Sequence, residues 1–280
     1  MSDAGMMVFA RRLRRILIGV LLAYGLLVLA LGLLQRKLMY FPDAQPFVPV
    51  AWALPELEPL PVATADGLSL LSWYRAPYAQ GKPTVVFFQG NAGHLGHRDY
   101  KIKPWLNEGY GVLLVGYRGY GGNTGAPSEQ GLYRDARAAI DSVLAKGVTV
   151  GSLVFYGESL GTGVATQMAT EYQAAGLVLE SPFTAMTDLG VERFPWVPVR
   201  WILIDRYETL AKIASVHMPL LLLHGERDAV VPVKFGRQVF AAANPPKHAA
   251  YFPQAGHNDV YTAEAQRQVI DFMVRLSTGK

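Results

Sequence analysis

The feature that most restricts the fold of this chain is a Gly-x-Ser-x-Gly pentapeptide, Gly157–Gly161, which lies between a predicted strand and a predicted helix. Residues 153–156 are apolar or aromatic, as in a buried strand, and residues 162–169 carry small and apolar side chains at helical spacing. A serine at such a turn is raised above the sheet, and side chains at the flanking glycines would collide with neighbouring backbone. The pattern predicts that Ser159 is a nucleophile, with an ordinary glycine-rich turn as the alternative.

The predicted nucleophile requires a base, because a serine hydroxyl reacts poorly at neutral pH without a histidine that a carboxylate orients. When a serine sits on a strand-to-helix turn of this kind, the acid and then the histidine follow it on loops after later strands. Asp228 lies in the loop after the apolar run 219–225. His257 lies in the loop after the strand-like run 249–253. Ser159, Asp228 and His257 are therefore the predicted catalytic residues.

Other acidic residues and histidines fit this order less well. Glu226 shares a loop with Asp228 and is an alternative acid. Asp188 and Asp205 lie in a segment with no strand directly before it. His224 lies at a strand end, where a packed structural role is favoured. The remaining histidines precede the serine or lie ahead of their strands, namely His94, His97, His217 and His248.

Acyl transfer also requires backbone N–H groups that stabilise the negative charge on the attacked carbonyl oxygen, and loss of one donor costs about 3 kcal/mol. The amide of Leu160, directly after the serine, is the first predicted donor. The second is expected in the glycine-rich loop 89–94, which follows the predicted strand 84–88. Asn91 is the predicted donor there. A loop that contains glycine only to turn the chain is the alternative.

Together these motifs resemble the α/β-hydrolase superfamily. They are most similar to its membrane-anchored branch of abhydrolase-domain serine hydrolases, related to serine-aminopeptidase-like hydrolases and protein depalmitoylases. The resemblance covers about residues 36–277 and rests on residues 89–93, 117–121, 127–129, 157–161, 180–183 and 256–257. One departure is Gln89, where the family usually has the histidine of a His-Gly-Asn sequence. We expect the backbone oxyanion hole to persist and the hydrogen bonds of that histidine to change.

The order of elements supports the fold that the resemblance implies. Predicted strands alternate with helical stretches to the C-terminus, which is typical of a mostly parallel sheet with helices on both faces. Residues 62–280 are predicted to form one α/β-hydrolase domain whose first strand is 69–75. A connector rich in proline and aromatic residues, 35–61, is expected to precede it without regular structure.

One longer insertion, residues 184–216, is predicted to form a small cap over the active site, with a helix that covers the sheet as the alternative. It contains Trp196 and Trp201 close to prolines. These aromatic residues favour either an apolar pocket for an acyl chain or contact with lipid.

An apolar run, Ile16–Leu34, contains no charged residue and follows a basic segment, residues 1–15. At a rise of about 1.5 Å per residue it spans roughly 28 Å, close to the hydrocarbon thickness of a bilayer. A cleaved signal peptide, the main alternative, would have a shorter apolar region and a small-x-small cleavage site. We therefore predict an uncleaved transmembrane signal anchor.

The charges that flank the anchor predict its orientation. Four arginines precede the run, whereas only Arg36 and Lys37 follow it closely. The positive-inside rule then places the N-terminus in the cytoplasm and the catalytic domain on the outer, periplasmic or extracytoplasmic side.

Composition narrows the function classes further. The chain has no cysteine, which excludes disulfides, thiolate catalysis and zinc–thiolate sites. The net charge of +4 is modest, and no basic patch is interleaved with aromatic residues, so no nucleic-acid partner is predicted. Nothing in the motifs implies a metal or an organic cofactor.

The predicted function is hydrolysis of carboxylic esters or thioesters by a membrane-anchored serine hydrolase that acts on a small-molecule or lipid acyl substrate through an acyl-enzyme. A serine peptidase or amidase of the aminopeptidase-like type is the second interpretation, and it would need acidic residues near the pocket to bind the substrate's amine. A non-catalytic, membrane-tethered binding protein on a hydrolase fold is the third, although such proteins usually lack one of the three catalytic residues.

Overall fold

The computed structural model describes residues 3–278 of the 280-residue chain, with the backbone alone for residues 3–5, 8 and 10. The first two residues of the predicted basic segment and the last two of the predicted hydrolase domain lie outside the described residues.

The strands form one large sheet and one two-stranded ribbon. In chain order they are β1 (Phe41–Pro42), β2 (Glu58–Ala63), β3 (Ser69–Arg75), β4 (Thr84–Phe88), β5 (Ala92–Gly93), β6 (Gly111–Leu114), β7 (Leu153–Glu158), β8 (Gly176–Glu180), β9 (Leu220–Gly225) and β10 (Lys247–Phe252). The large sheet has the order β10-β9-β8-β7-β4-β6-β3-β2. The first six strands in this order, from β10 to β6, are mutually parallel. Strand β3 is antiparallel to β6, and the edge strand β2 is antiparallel to β3. The predicted mostly parallel sheet is confirmed.

Helices cover both faces of this sheet. In chain order, the helices of residues 3–278 are α1 (Asp3–Met39), α2 (Asp99–Asn107), α3 (Glu129–Leu144), α4 (Leu160–Glu171), α5 (Met186–Arg193), α6 (Val199–Ile202), α7 (Thr209–Ile213), α8 (Val233–Ala242) and α9 (Ala263–Thr278), of which α1 lies outside the core. Apolar residues of α3, α4, α7 and α8 pack on one face, and those of α2 and α9 on the other. Alternate residues of β4 serve the two faces, with Val86 and Phe88 on the first and Val85 and Phe87 on the second. Central strands buried on both faces explain the continuous apolar runs in the sequence.

The sheet begins one strand earlier than predicted. Strand β2 lies in the region expected to be irregular, yet it pairs along its whole length with β3. Pro59 and Pro61 interrupt the strand pattern in the sequence because proline lacks an N–H donor. An edge strand tolerates them since only one of its sides is paired, and Leu60 and Val62 still face the core.

The N-terminal helix α1 is also longer than the predicted span. Its residues Arg11–Met39 are long and apolar enough to cross a bilayer, by length and composition. The helix continues beyond Leu34 through the first residues of the predicted connector. Gln35 is buried there, and Arg36 binds the buried Asp205 with its Nε at 2.8 Å from Oδ2, so contacts with the hydrolase domain stabilise this end.

Candidate active site

Ser159 occupies the sharp turn between β7 and α4. Its φ of 50° and ψ of −115° are rare for a residue with a side chain, and such strain is typical of functional sites. A Cβ on Gly157 would lie 2.5 Å from the Gly161 carbonyl oxygen, and one on Gly161 would lie 2.0 Å from that of Phe88. Both glycines are therefore needed, because nothing larger fits where α4 approaches the sheet.

The structure brings the three predicted catalytic residues into one hydrogen-bonded chain. His257 Nε2 lies 3.0 Å from Ser159 Oγ, and His257 Nδ1 lies 2.7 Å from Asp228 Oδ2. Asp228 follows β9 and His257 follows β10, so their loops meet at the carboxyl edge of the parallel strands. The distances are those of a base that could accept the serine proton while a carboxylate holds its other nitrogen.

The Asp228 carboxylate is held from several directions. Its Oδ1 accepts the N–H groups of Val230 at 2.9 Å and Val231 at 2.7 Å. Burial by itself would raise the pKa of Asp228, but hydrogen bonds from His224 and His257 outweigh it and hold that pKa below its usual range. His224 is buried and lies 2.8 Å from the Val231 carbonyl oxygen, so it supports this loop as a structural histidine.

The alternative acids are engaged elsewhere. Glu226 forms an exposed ion pair with Arg237 at 2.6 Å. Asp205 binds Arg36 of α1, and Asp188 binds Arg200 at 2.9 Å. None of the three contacts His257 among the described residues.

The two predicted oxyanion donors lie in positions where their amides are available. Leu160 is the first residue of α4, where a helix leaves its N–H groups without intrahelical partners. Asn91 lies between β4 and β5, and Tyr120 holds its carbonyl oxygen through a hydrogen bond of 2.9 Å. Within residues 3–278, neither amide donates to a protein acceptor. Gln89, where the family usually has histidine, is buried in the same loop.

The side chain of Asn91 joins this loop to the end of α1, a contact that sequence reasoning missed. Its Nδ2 donates to the Met39 carbonyl oxygen, and its Oδ1 accepts from the N–H of Phe41 at 3.3 Å. Strand β1, which follows α1 closely, also pairs with β5 of the loop. No local signal could have revealed contacts between segments about 50 positions apart in the chain.

A cavity of about 390 Å³ opens beside Ser159 and is here named the active-site cavity. Most of its lining residues are polar, and the full lining is Ala92, Gly93, His97, Arg98, Tyr100, Lys101, Glu158, Ser159, Glu180, Ser181, His257 and Asn258. No described residue of the predicted cap, 184–216, is among them.

Four charged side chains beside the cavity form a cluster, here named the charge cluster, in which Lys101 and Glu180 are buried and Arg98 and Glu158 are partly buried. Lys101, only 1% exposed, donates to Glu158 at 2.7 Å and to Glu180 at 2.7 Å, while Arg98 donates to Glu158 at 2.7 Å. Burial would lower the pKa of Lys101 and raise that of Glu158, but their opposite charges dominate and shift both pKa values the other way. Lys101 and Glu158 are thus both charged at neutral pH. In the sequence, the signal for this cluster was Lys101, which lies among the apolar positions of α2 and was not recognised as buried.

Asp43, His94 and His97 also lie close together near the cavity, with candidate metal-ligand atoms within 4.8 Å of one another. The Nδ1 of His94 accepts the N–H of Gly96 at 3.0 Å, and the Nδ1 of His97 accepts that of His94 at 3.4 Å. Each neutral ring therefore carries its proton on Nε2 and has no lone pair there for a metal. The arrangement is suited to hydrogen bonding rather than to metal ligation.

Comparison with known proteins places these features in a family. The family model described as serine aminopeptidase, S33 matches residues 79–211. An uncharacterized protein of Mycobacterium tuberculosis is 42% identical over 228 residues, which cover 80% of this chain and 81% of that protein. The protein bem46 of Schizosaccharomyces pombe is 30% identical over 271 residues, 88% of this chain and 89% of that protein.

Solved structures share the fold. An esterase of Pyrococcus furiosus superposes with a TM-score of 0.69 at 20% sequence identity, over 85% of this chain and 99% of the esterase. The Ser159 turn, the sheet order and the relatives agree, and this chain belongs to the α/β-hydrolase superfamily.

Proposed function

We propose that this protein is a membrane-anchored serine hydrolase that cleaves carboxylic ester or thioester bonds. The observation that carries the proposal is the hydrogen-bonded chain from Ser159 through His257 to Asp228. Membership of the superfamily supports hydrolysis in general, and the availability of the Leu160 and Asn91 amides supports acyl transfer in particular.

The first half-reaction acylates the serine. His257 accepts the hydroxyl proton as Ser159 Oγ attacks the carbonyl carbon, and the carbonyl electron pair moves onto oxygen. The Leu160 and Asn91 amides stabilise that oxyanion, while Asp228 stabilises the imidazolium. The tetrahedral intermediate collapses with loss of the alcohol or thiol, which takes the proton from His257.

The second half-reaction releases the acid. A water molecule gives a proton to His257 and attacks the acyl carbonyl carbon, and a second tetrahedral intermediate forms with the same oxyanion contacts. Its collapse breaks the bond to Ser159 Oγ, which recovers the proton from His257. The product is a carboxylic acid, and the enzyme is restored.

The matched family model is described as serine aminopeptidase, S33, which would suggest peptide substrates. The charge cluster instead favours esters or thioesters. Binding a substrate's terminal ammonium group requires an unpaired carboxylate. Glu158 and Glu180 both line the active-site cavity, but Lys101 binds each of them and Arg98 binds Glu158 as well. An ammonium group would have to displace a buried ion pair, which is unfavourable.

The contact between Asn91 and Met39 supports a site close to the membrane. In the proposed arrangement α1 spans the bilayer with a cytoplasmic N-terminus, and the hydrolase domain lies on the outer side. Because the end of α1 is bonded to the loop beside Ser159, an acyl substrate in or near the membrane surface could reach the serine.

The test uses a fluorophosphonate probe, which modifies activated serines. We expect the wild type to be labelled and Ser159→Ala to escape labelling, with kcat on p-nitrophenyl esters lower by about 10⁴-fold or more. Ser181→Ala is the matched control, since Ser181 lines the same cavity, and it should be labelled like the wild type. Near-native turnover by Ser159→Ala would refute the assignment.

A second assay separates the interpretations of function. Esters should be cleaved far faster than aminoacyl p-nitroanilides, and the reverse preference would favour the peptidase interpretation. A correctly folded wild type that neither reacts with the probe nor turns over any of these substrates would favour a binding protein.

A further inference from the structure

Residues 194–204, here named the 194–204 segment, form an exposed apolar surface outside the hydrolase core. Four of its large side chains face outward, with exposed fractions of 48% for Phe194, 56% for Trp196, 88% for Trp201 and 64% for Ile204. Clustered apolar residues of this size usually mark an interaction site. They do not line the active-site cavity.

The 194–204 segment runs alongside α1. Tyr24 Oη donates to the Trp196 carbonyl oxygen at 2.7 Å. At the other end, Gln35 Nε2 donates to the Ile202 carbonyl oxygen at 3.0 Å. A helix rises about 1.5 Å per residue, so Tyr24 and Gln35 are separated by roughly 16 Å along the axis, about half of the hydrocarbon thickness of a bilayer.

One face of α1 accounts for this contact. Val28 and Leu31 lie between Tyr24 and Gln35 at helical spacing and are less exposed than most residues around them. Tyr24 also carries the only polar side chain in the apolar run Ile16–Leu34. Its hydroxyl is used to bond the 194–204 segment.

Helix α1 supplies hydrogen-bond partners to part of the backbone of the segment, and such partners are favoured in lipid, where water is absent. The side chains of α1 satisfy the carbonyl groups of Trp196 and Ile202, and Gln35 Oε1 accepts the N–H of Ile204 at 2.7 Å. Within the segment, the N–H of Leu203 donates to the Val199 carbonyl oxygen at 3.0 Å.

Several charged groups lie beside the end of the segment at Ile202 and Ile204, where Gln35 of α1 bonds it. Asp205 binds Arg36 at 2.8 Å, and Arg206 Nη2 donates to the Arg200 carbonyl oxygen at 2.9 Å. Arg200 itself pairs with Asp188. Arg36 and Arg200 are thus paired with carboxylates at this end, whereas Trp196 bonds Tyr24 further along α1. Paired charges at one end, with tryptophan and apolar residues beyond them, match the change from lipid headgroups to acyl chains.

We propose that the 194–204 segment inserts into the membrane leaflet on the hydrolase-domain side, with Trp196, Trp201 and Ile204 in contact with lipid acyl chains. The proposal rests on the proposed membrane anchoring by α1 and adds a second membrane contact to it. The hydrolase domain is then held against the bilayer in a defined orientation and does not swing from a single helix.

The absence of cysteine from the chain permits a direct test with single nitroxide labels. Full-length Trp201→Cys and Ile204→Cys variants are labelled and reconstituted in phosphatidylcholine–phosphatidylglycerol vesicles. Leu22→Cys on α1 is the control for lipid, and Tyr78→Cys, at an exposed position of the hydrolase domain, is the control for water. We expect labels at 201, 204 and 22 to collide more with oxygen than with a water-soluble nickel chelate, and the label at 78 to show the reverse.

The outcomes separate this proposal from the anchoring on which it rests. Labels at 201 and 204 that behave like the one at 78, while the label at 22 reports lipid, would overturn the insertion and leave the anchor standing. A label at 22 in water would overturn both. Labels at 201 and 204 shielded from both reagents would indicate a second copy on this surface and would also overturn the proposal.

A measurement without labels guards against perturbation by the substitutions. Brominated phosphatidylcholine should quench wild-type tryptophan fluorescence, and the Trp196→Phe/Trp201→Phe variant should lose most of that quenching. Equal fractional quenching of the two proteins would contradict insertion, because the remaining tryptophans, Trp52, Trp73 and Trp105, lie outside the 194–204 segment and none of them is on α1.

Discussion

At the scale of single residues, Asp228 determines what His257 can do. The carboxylate only accepts hydrogen bonds, so its 2.7 Å contact with His257 Nδ1 requires the proton to lie on that nitrogen. The Nε2 lone pair then faces Ser159 Oγ, as a general base requires. Two backbone N–H groups hold Asp228 in this orientation, which keeps the tautomer of His257 defined.

Replacing Asp228 by asparagine should therefore impair catalysis without unfolding the protein. The amide group can donate to Nδ1 and so favours the wrong tautomer of His257, and kcat should fall by about 10⁴-fold, as in serine proteases. Steady-state rates with p-nitrophenyl esters measure the effect. Glu226→Gln, a change to the exposed acid of the same loop, should retain wild-type kcat, and an equal loss in both variants would contradict the role of Asp228.

At the scale of elements, the charge cluster connects α2 to the ends of two central strands. Glu158 ends β7 and Glu180 ends β8, and Lys101 reaches both from the buried face of α2. Buried charges are tolerated only when they are paired, so the position of α2 depends on this contact as well as on its apolar side chains. The cluster also gives the active-site cavity a polar lining beside Ser159.

Lys101→Met should destabilise the protein strongly, because it leaves the buried Glu180 without a cation and removes one of the two cations of Glu158. We expect a loss of about 3–5 kcal/mol in the free energy of unfolding, measured by urea titration in detergent micelles. Lys103→Met, on the exposed side of the same helix, should change it by no more than about 0.5 kcal/mol. The combination Lys101→Met/Glu158→Gln/Glu180→Gln should recover part of the loss, and a wild-type stability of Lys101→Met alone would refute the argument.

At the scale of the whole molecule, α1 and the hydrolase domain form a connected unit. Arg36 and Asp205 join them through a bidentate ion pair, with Arg36 Nε and Nη2 at 2.8 and 3.1 Å from the carboxylate oxygens. Asn91 joins the end of α1 to the proposed oxyanion loop. Disturbance of α1 should therefore be transmitted to the site.

Asn91→Ala tests this connection, because it removes the side-chain bonds and keeps the backbone amide. A loosened loop misplaces the oxyanion donor, so kcat should fall by up to about 100-fold with little change in KM. Kinetics on a soluble p-nitrophenyl ester measure both values. Asn107→Ala, at an exposed position at the end of α2, serves as the control. Unchanged kcat in Asn91→Ala would show that the loop does not depend on α1.

The proposed topology can be tested on intact cells that express single-cysteine variants. A membrane-impermeant maleimide should label Tyr78→Cys in the hydrolase domain and not Met6→Cys near the N-terminus. Permeabilised cells should show labelling of both, which controls for reactivity. Labelling of Met6→Cys alone in intact cells would reverse the predicted orientation.

Sequence patterns predicted the elements that depend on neighbouring residues. These patterns are the glycines around Ser159, the apolar runs of the central strands and the apolar N-terminal run. Each of them involves residues of a single turn, strand or helix, and the corresponding elements are present. The order of Ser159, Asp228 and His257 along the chain also predicted their meeting, because the carboxyl ends of parallel strands share one edge of the sheet. Their catalytic roles stay predictions.

What the sequence determined by itself was the location of the turn at Ser159, the mostly parallel sheet and the three residues that meet at its edge. Only the tertiary structure decided that Lys101 binds Glu180, 79 positions away, and that Tyr24 binds the backbone of Trp196, 172 positions away. It also decided that Pro59 and Pro61 lie in an edge strand. The physical reason is that periodicity and turn chemistry are local, whereas the partner of a buried charge or of a helix face depends on which distant segments the sheet order brings together.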